Sequence, residues 1–201
     1  MIKHLALTLV LAAAPVLADP SPREQLDQFA AGLHSLSGGF SQVTLDGSGR
    51  LVDQAEGRLY FQHPDRFRWS YVEPFPQEIV ADGKQLWHYD ESLDQVTVRD
   101  QPDASESPLM ILTRPDLLDR YYRIEDSGLS HALEFSPLEE DLEFEQAVLF
   151  FDEGLPSAIE LVDRFGQLTR LEMFDLERNP ELDPDLFSFE MPPGADLLEG
   201  Y

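Results

Sequence analysis

The period of the apolar positions changes along the chain, and each change marks an element. Leu26, Phe29, Ala30, Leu33 and Leu36 recur at helical spacing, which puts one apolar stripe on an amphipathic helix. Ser21, Pro22 and Glu24 supply its start: an N-cap hydroxyl, a proline in the first turn and a carboxylate three residues after the cap. Gly38-Gly39 is expected to stop it. From Phe40 the period becomes two, and strands are expected over 41–45, 50–62, 66–72, 77–81, 84–89 and 95–99. In the third of these, Phe67, Trp69 and Tyr71 face one way while Arg66, Arg68 and Ser70 face the other. Asp46-Gly47-Ser48-Gly49, Pro64-Asp65 and Asp82-Gly83 are the turns between them.

The segment 101–107 is polar and turn-rich. Pro108-Leu109-Met110-Ile111-Leu112 is then apolar on nearly every side, and a second helical stretch covers 116–120. Strands are expected again over 121–125, 131–136, 144–151, 157–162 and 168–176, with a last one over 186–190 in the tail. About eleven short strands in hairpin order, with no βαβ unit, describe one antiparallel sheet in a single domain. Glu139-Glu140-Asp141 reads as a solvated hairpin loop.

The first residues have a different character. Lys3 and His4 precede an apolar run over 5–17, and Val16-Leu17-Ala18 presents small residues at a cleavage site. That is the layout of a secretory signal peptide over 1–18, leaving 19–201 as the mature domain. The run is too short to span a bilayer.

Composition narrows the function. Fourteen Lys and Arg face 39 Asp and Glu, a formal net charge of −25, which excludes nucleic acid as a partner and disfavours anionic membrane surfaces. There is no cysteine, so disulfides, thiolate nucleophiles and lipid attachment through a thioether are absent together. His34, His63, His88 and His131 are too far apart for a zinc motif. Gly47-Ser48-Gly49 suits a hairpin turn better than a dinucleotide loop, and no G-x-S-x-G elbow occurs. No catalytic apparatus, metal site or cofactor is expected.

Apolar residues stand out instead. Leu59, Phe61, Phe67, Trp69, Tyr71, Ile79, Trp87, Tyr89, Phe135, Leu149, Phe151, Ile159, Leu161, Leu171 and Met173 could line the concave face of a curved sheet. Two readings are open: the filled core of an ordinary barrel, or a cavity covered by helices. The apolar block Leu109 to Leu112 favours the second, since a closed barrel fills itself with side chains.

Several motifs resemble one family. The helix running into Phe40-Ser41-Gln42, the Asp46 to Gly49 turn, Gly57-Arg58-Leu59-Tyr60-Phe61 before Pro64, Phe67-Arg68-Trp69, the stretch from Val80 to Tyr89, Pro108 to Leu112, and Phe187 to Gly194 are together similar to the LolA family of periplasmic lipoprotein carriers. The resemblance implies an unclosed antiparallel β-barrel whose apolar cavity is capped by an N-terminal helix and a short helical insert. Leu26, Phe29, Leu33, Leu109, Met110, Ile111 and Leu112 would form the lid. It further implies a monomeric, non-enzymatic carrier without cofactor or stable membrane insertion. Such a carrier takes acylated lipoproteins from an inner-membrane ABC transporter and passes them to an outer-membrane receptor. A LolA-like periplasmic sensor and a carbohydrate-active enzyme are the alternatives. The family often has an Arg before the Pro of the second long strand, latching the lid. His63 stands there, and a neutral imidazole offers one donor where Arg offers five.

Overall fold

The computed structural model describes residues 19–101, 110–129, 131–138 and 144–199. The expected leader over 1–18, Leu109 and the acidic run 139–141 lie outside the described residues, as does the side chain of Met110.

The chain opens with α1 (Pro22–Ala30), and its start follows the sequence pattern. The Glu24 amide donates to Ser21 Oγ at 3.3 Å, and the Ser21 amide donates back to Glu24 Oε2 at 2.8 Å. These bonds from the Ser21 amide and hydroxyl hold the Glu24 carboxyl below its usual range. The capping box is therefore complete at neutral pH and is lost as pH falls through that lowered value. The helix is shorter than expected. It ends at Ala30, Gly32 turns the chain at φ +68°, and β1 begins at Ser35. Gly38 and Gly39 thus lie inside a strand. A Cβ at Gly39 would sit 2.1 Å from the Phe174 ring, and one at Gly38 would sit 2.5 Å from Leu176. Glycine serves close packing across β1 here, which a stop signal and a close approach share at the level of sequence.

Eleven further strands follow: β2 (Leu51–Gln62), β3 (Arg66–Glu73), β4 (Gln77–Ala81), β5 (Gln85–Asp90), β6 (Gln95–Asp100), β7 (Tyr122–Asp126), β8 (Ala132–Pro137), β9 (Gln146–Asp152), β10 (Leu155–Val162), β11 (Leu168–Arg178) and β12 (Asp196–Glu199). Among the described residues between β6 and β7 are two short helices, α2 (Met110–Thr113) and α3 (Pro115–Tyr121). The sheet order is β12-β6-β5-β4-β3-β2-β1-β11-β10-β9-β8-β7, with β12 and β7 at its two ends. It curls without closing. All neighbours are antiparallel except β12, which pairs in parallel with β6. The expected tail strand over 186–190 is instead a 3₁₀ turn over Pro184–Phe187 followed by irregular chain.

Two cores form, one on each face. The larger fills the concave face, where Leu26 and Phe29 of α1 and Ile111, Leu112 and Leu118 of α2 and α3 pack among Leu36, Phe40, Leu59, Phe61, Leu133, Phe135, Leu149 and Met173. The smaller lies on the convex side. There Val80, Val96 and Phe187 are buried, and Phe189 stacks 5.4 Å from Trp87.

Candidate functional site

Cross-strand pairing decides which residues share the concave face, because directly opposed residues project to the same side. Leu59 opposes Trp69 and Trp69 opposes Ile79, while Phe61 opposes Phe67. Across the other half, Phe40 opposes Met173, Leu171 opposes Ile159, Ile159 opposes Leu149, and Leu161 and Phe135 both oppose Ala147. Leu59, Phe61, Phe67, Trp69, Tyr71, Ile79, Phe135, Leu149, Leu161 and Met173 therefore form one continuous apolar surface.

Trp87 and Tyr89 do not join it. Trp87 opposes Val80 and Tyr89 opposes Glu78, on the convex side. The register across the Asp82-Gly83 turn pairs odd with even numbers, so alternation carried over from β4 points β5 the wrong way. His88 and Leu86 take the concave positions. The aromatic pair instead holds the tail, Phe189 lying 6.2 Å from Tyr89 as well.

The helices cover only part of the concave face. Ile111, Leu112 and Leu118 are buried against the half built from β1, β2 and β7 to β11. Phe67, Trp69, Tyr71 and Ile79 stay half-buried at the margin of the cover. Leu33 packs on the core from the chain that links α1 to β1. Beyond this margin, over β4 and β5, the face turns polar: Gln77 Nε2 donates to Asp90 at 3.2 Å, and His88 meets Gln77 Oε1 at the same distance.

Polar ties at the rim join the covering helices to one another and to the sheet. Arg23 of α1 grips Asp119 of α3 with two bonds at 3.0 and 3.2 Å. Arg114, between α2 and α3, lies 3.7 Å from Asp65 in the β2–β3 turn. Arg178 of β11 donates to the Ala31 carbonyl at 2.8 Å, where α1 ends, and its guanidinium covers the Phe29 ring. Asn179 accepts from the His34 amide at 2.9 Å and donates to the Gly32 carbonyl at 3.0 Å. His63 makes no such tie among the described residues. It is exposed, its amide donates to the His34 carbonyl, and its ring bonds no described residue. The tie to the lid comes from the neighbouring Asp65, with the charges reversed relative to an arginine on the strand.

Sequence reasoning missed the centre of the surface. Phe40 is fully buried, 4.6 Å from the Trp69 ring and edge-on to Tyr71 at 5.2 Å. It also missed a polar group inside the apolar face. The Tyr71 hydroxyl donates to Gln42 Oε1 at 3.1 Å. Burial raises the Tyr71 phenol pKa, the nearby Trp69 N–H opposes that rise, and the Asp53 carboxylate adds to it. Among the described residues no three His, Asp or Glu side chains are grouped for a metal, and no helix is long and apolar enough to cross a membrane.

Comparison with known proteins agrees with this architecture. Residues 31–190 match the model of the outer membrane lipoprotein carrier protein LolA family. An outer-membrane lipoprotein carrier protein of Alkalilimnicola ehrlichii is 42% identical over 199 residues, spanning 97% of this chain and 92% of the relative. One from Halorhodospira halophila is 37% identical, spanning 98% and 96%. Among solved structures, a LolA superfamily protein from Nitrosomonas europaea superposes with a TM-score of 0.51 at 15% identity, covering 84% of this chain and 96% of that one. An uncharacterized conserved protein from Thermus thermophilus gives 0.54 at 15% identity, covering 89% and 98%. These two likenesses concern the fold.

Proposed function

The chain belongs to the LolA family of outer-membrane lipoprotein carrier proteins, and from that premise we propose that it ferries acylated lipoproteins through the periplasm. It accepts them from an inner-membrane ABC transporter and releases them to an outer-membrane receptor, with no bond made or broken and no cofactor. The observation that carries this reading is the apolar concave face, continuous from the helix-covered core to half-buried Phe67, Trp69 and Ile79.

Acyl chains enter along that margin and spread beneath α1, α2 and α3 as the helices lift. A photo-crosslinking residue at Phe67 is expected to capture the acyl chains of lipoprotein cargo. The same residue at exposed Arg58, opposite Ser70 on the convex side, is expected to capture none. Equal capture at both positions would remove the concave face as the cargo site.

The charge of −25 suits docking on basic patches of the membrane partners, which steer an acidic carrier and are screened by salt. Association with the transporter is expected to weaken by roughly tenfold between about 50 and 500 mM salt. Salt-independent association would place the docking energy in apolar contacts.

A further inference from the structure

The concave face holds a buried N–H that completes no hydrogen bond among the described residues. Trp69 Nε1 is buried and completes no hydrogen bond of full geometry among the described residues, the Tyr71 hydroxyl beside it being near enough only for the N–H to act on the phenol, although interior N–H groups are as a rule satisfied because leaving one unpaired is costly. The indole is not free to turn away. Its ring lies 4.6 Å from fully buried Phe40, and Phe40 in turn sits against Gly57, where a Cβ would come within 2.6 Å of the ring. Beside it, the Tyr71 hydroxyl is committed to Gln42 Oε1, and the Gln42 amide nitrogen has no partner among the described residues.

Donors are thus held in fixed positions in a wall that is otherwise apolar, and the Trp69 N–H, closed off from solvent here, is reached by a ligand only when its cover lifts. We propose that Trp69 Nε1, with Tyr71 and Gln42 beside it, is a subsite for the neutral acyl carbonyl that joins a fatty chain to its cargo. This rests on the carrier reading and deepens it, since it gives the cavity a means of registering where the chain ends. An ester or amide carbonyl is a neutral acceptor that matches an indole N–H. A free fatty carboxylate is disfavoured, because Asp53 lies close enough to act on Tyr71 and the whole chain carries −25. The subsite therefore selects linked acyl groups over free fatty acids. Preorganised donors of this kind add affinity at little ordering cost.

The test displaces an apolar dye from the full mature chain with four ligands of equal chain length: methyl palmitate, N-methylpalmitamide, hexadecyl methyl ether and palmitate. The ester and amide are expected to bind roughly tenfold better than the ether, the effect of one hydrogen bond of ordinary strength, and better than palmitate. Trp69→Phe keeps an aromatic ring, though a smaller one, and removes the donor. It is expected to bring the ester and ether within about twofold of each other, the ratio of the two affinities being the readout whatever the smaller ring does to both. The chain has two tryptophans, so the indole N–H resonances give a readout that needs no variant. That of Trp69 is expected to shift downfield with the ester and not the ether, while Trp87, stacked on Phe189 across the sheet, stays fixed. Equal ester and ether affinity in the wild type, a preference retained in Trp69→Phe, or a stationary Trp69 resonance would each overturn the subsite and leave the carrier reading standing. Failure of the ester, amide and ether alike to displace the dye from the wild type would overturn the carrier reading, and the subsite with it.

Discussion

Replacing Gly57 by Ala is expected to lower the stability of the fold by about 3 kcal/mol, the largest loss from adding a single methyl group. Gly57 is not among the glycines at positive φ, so left-handed backbone strain does not supply the effect. Space does. A Cβ would lie 2.0 Å from the Ser70 carbonyl oxygen and 2.6 Å from Phe40 Cζ. The first neighbour is backbone of β3, and the second belongs to a ring that is fully buried, so neither yields without moving a strand. Gly to Ala in a strand ordinarily gains up to about 1 kcal/mol, and the clash must exceed that. For a chain of this size the loss corresponds to a fall in Tm of roughly 6 to 12 °C. Gly47→Ala is the control, since its Cβ would meet nothing nearer than 3.4 Å and should change stability by less than about 0.5 kcal/mol. Thermal unfolding of both variants decides it. A Gly57→Ala protein as stable as the wild type would mean that β2 and β3 slide freely past each other. The same site then governs Trp69 and Tyr71, because Phe40 positions both.

Elements whose instructions are local were legible in the sequence. The Ser21–Glu24 box, the Asp46 and Asp82 turns and the alternation of Phe67, Trp69 and Tyr71 all rest on neighbours within a few residues, and all appear in the structure. What failed rests on pairing at a distance. Trp87 and Tyr89 are as alternating and aromatic as Trp69 and Tyr71, and only the register between β4 and β5 sends them to the opposite face. Gly38-Gly39 carries the chemistry of a helix stop, and only Phe174 and Leu176, from a strand more than a hundred residues later, show why glycine is needed there. The parallel pairing of β12 with β6 could not be read from hairpin order. The lid ties were hidden for the same reason. Arg23 with Asp119 and Arg114 with Asp65 are ordinary surface charges until the fold brings them together, whereas His63 stood out by its position in the chain and its ring bonds none of the described residues.

Leu118→Ala is expected to increase affinity for an apolar probe by tenfold or more, even though it destabilises the protein. Leu118 of α3 is fully buried in the same cluster as Leu149, Phe135 and Leu59. On the proposed carrier reading, the helix side chains buried in that cluster occupy the surface that cargo would need, and loading requires their displacement. Apparent affinity then equals intrinsic affinity multiplied by the fraction of molecules with the lid raised. Truncating a buried leucine removes about 2 to 5 kcal/mol of packing, and each 1.4 kcal/mol taken from the closed form alone raises the raised fraction about tenfold until it saturates. The balance matters for delivery. An acyl cargo with three chains has on the order of 45 methylenes, worth roughly 36 kcal/mol if all were buried at no cost, while noncovalent affinities stop near 18 to 21 kcal/mol. On that reading, a lid that refolds onto the emptied face would offset part of that burial and let the carrier release its load. The rim charges contribute much less. Asp119 is mostly exposed, and exposed pairs are worth at most about 1 kcal/mol, so Asp119→Asn should raise probe affinity by less than about fivefold. Probe titrations of the wild type, Leu118→Ala and Asp119→Asn, run well below the unfolding transition of each, give the order directly. A fall in affinity for Leu118→Ala would show that Leu118 is part of the wall the cargo touches, and that the lid does not compete for it.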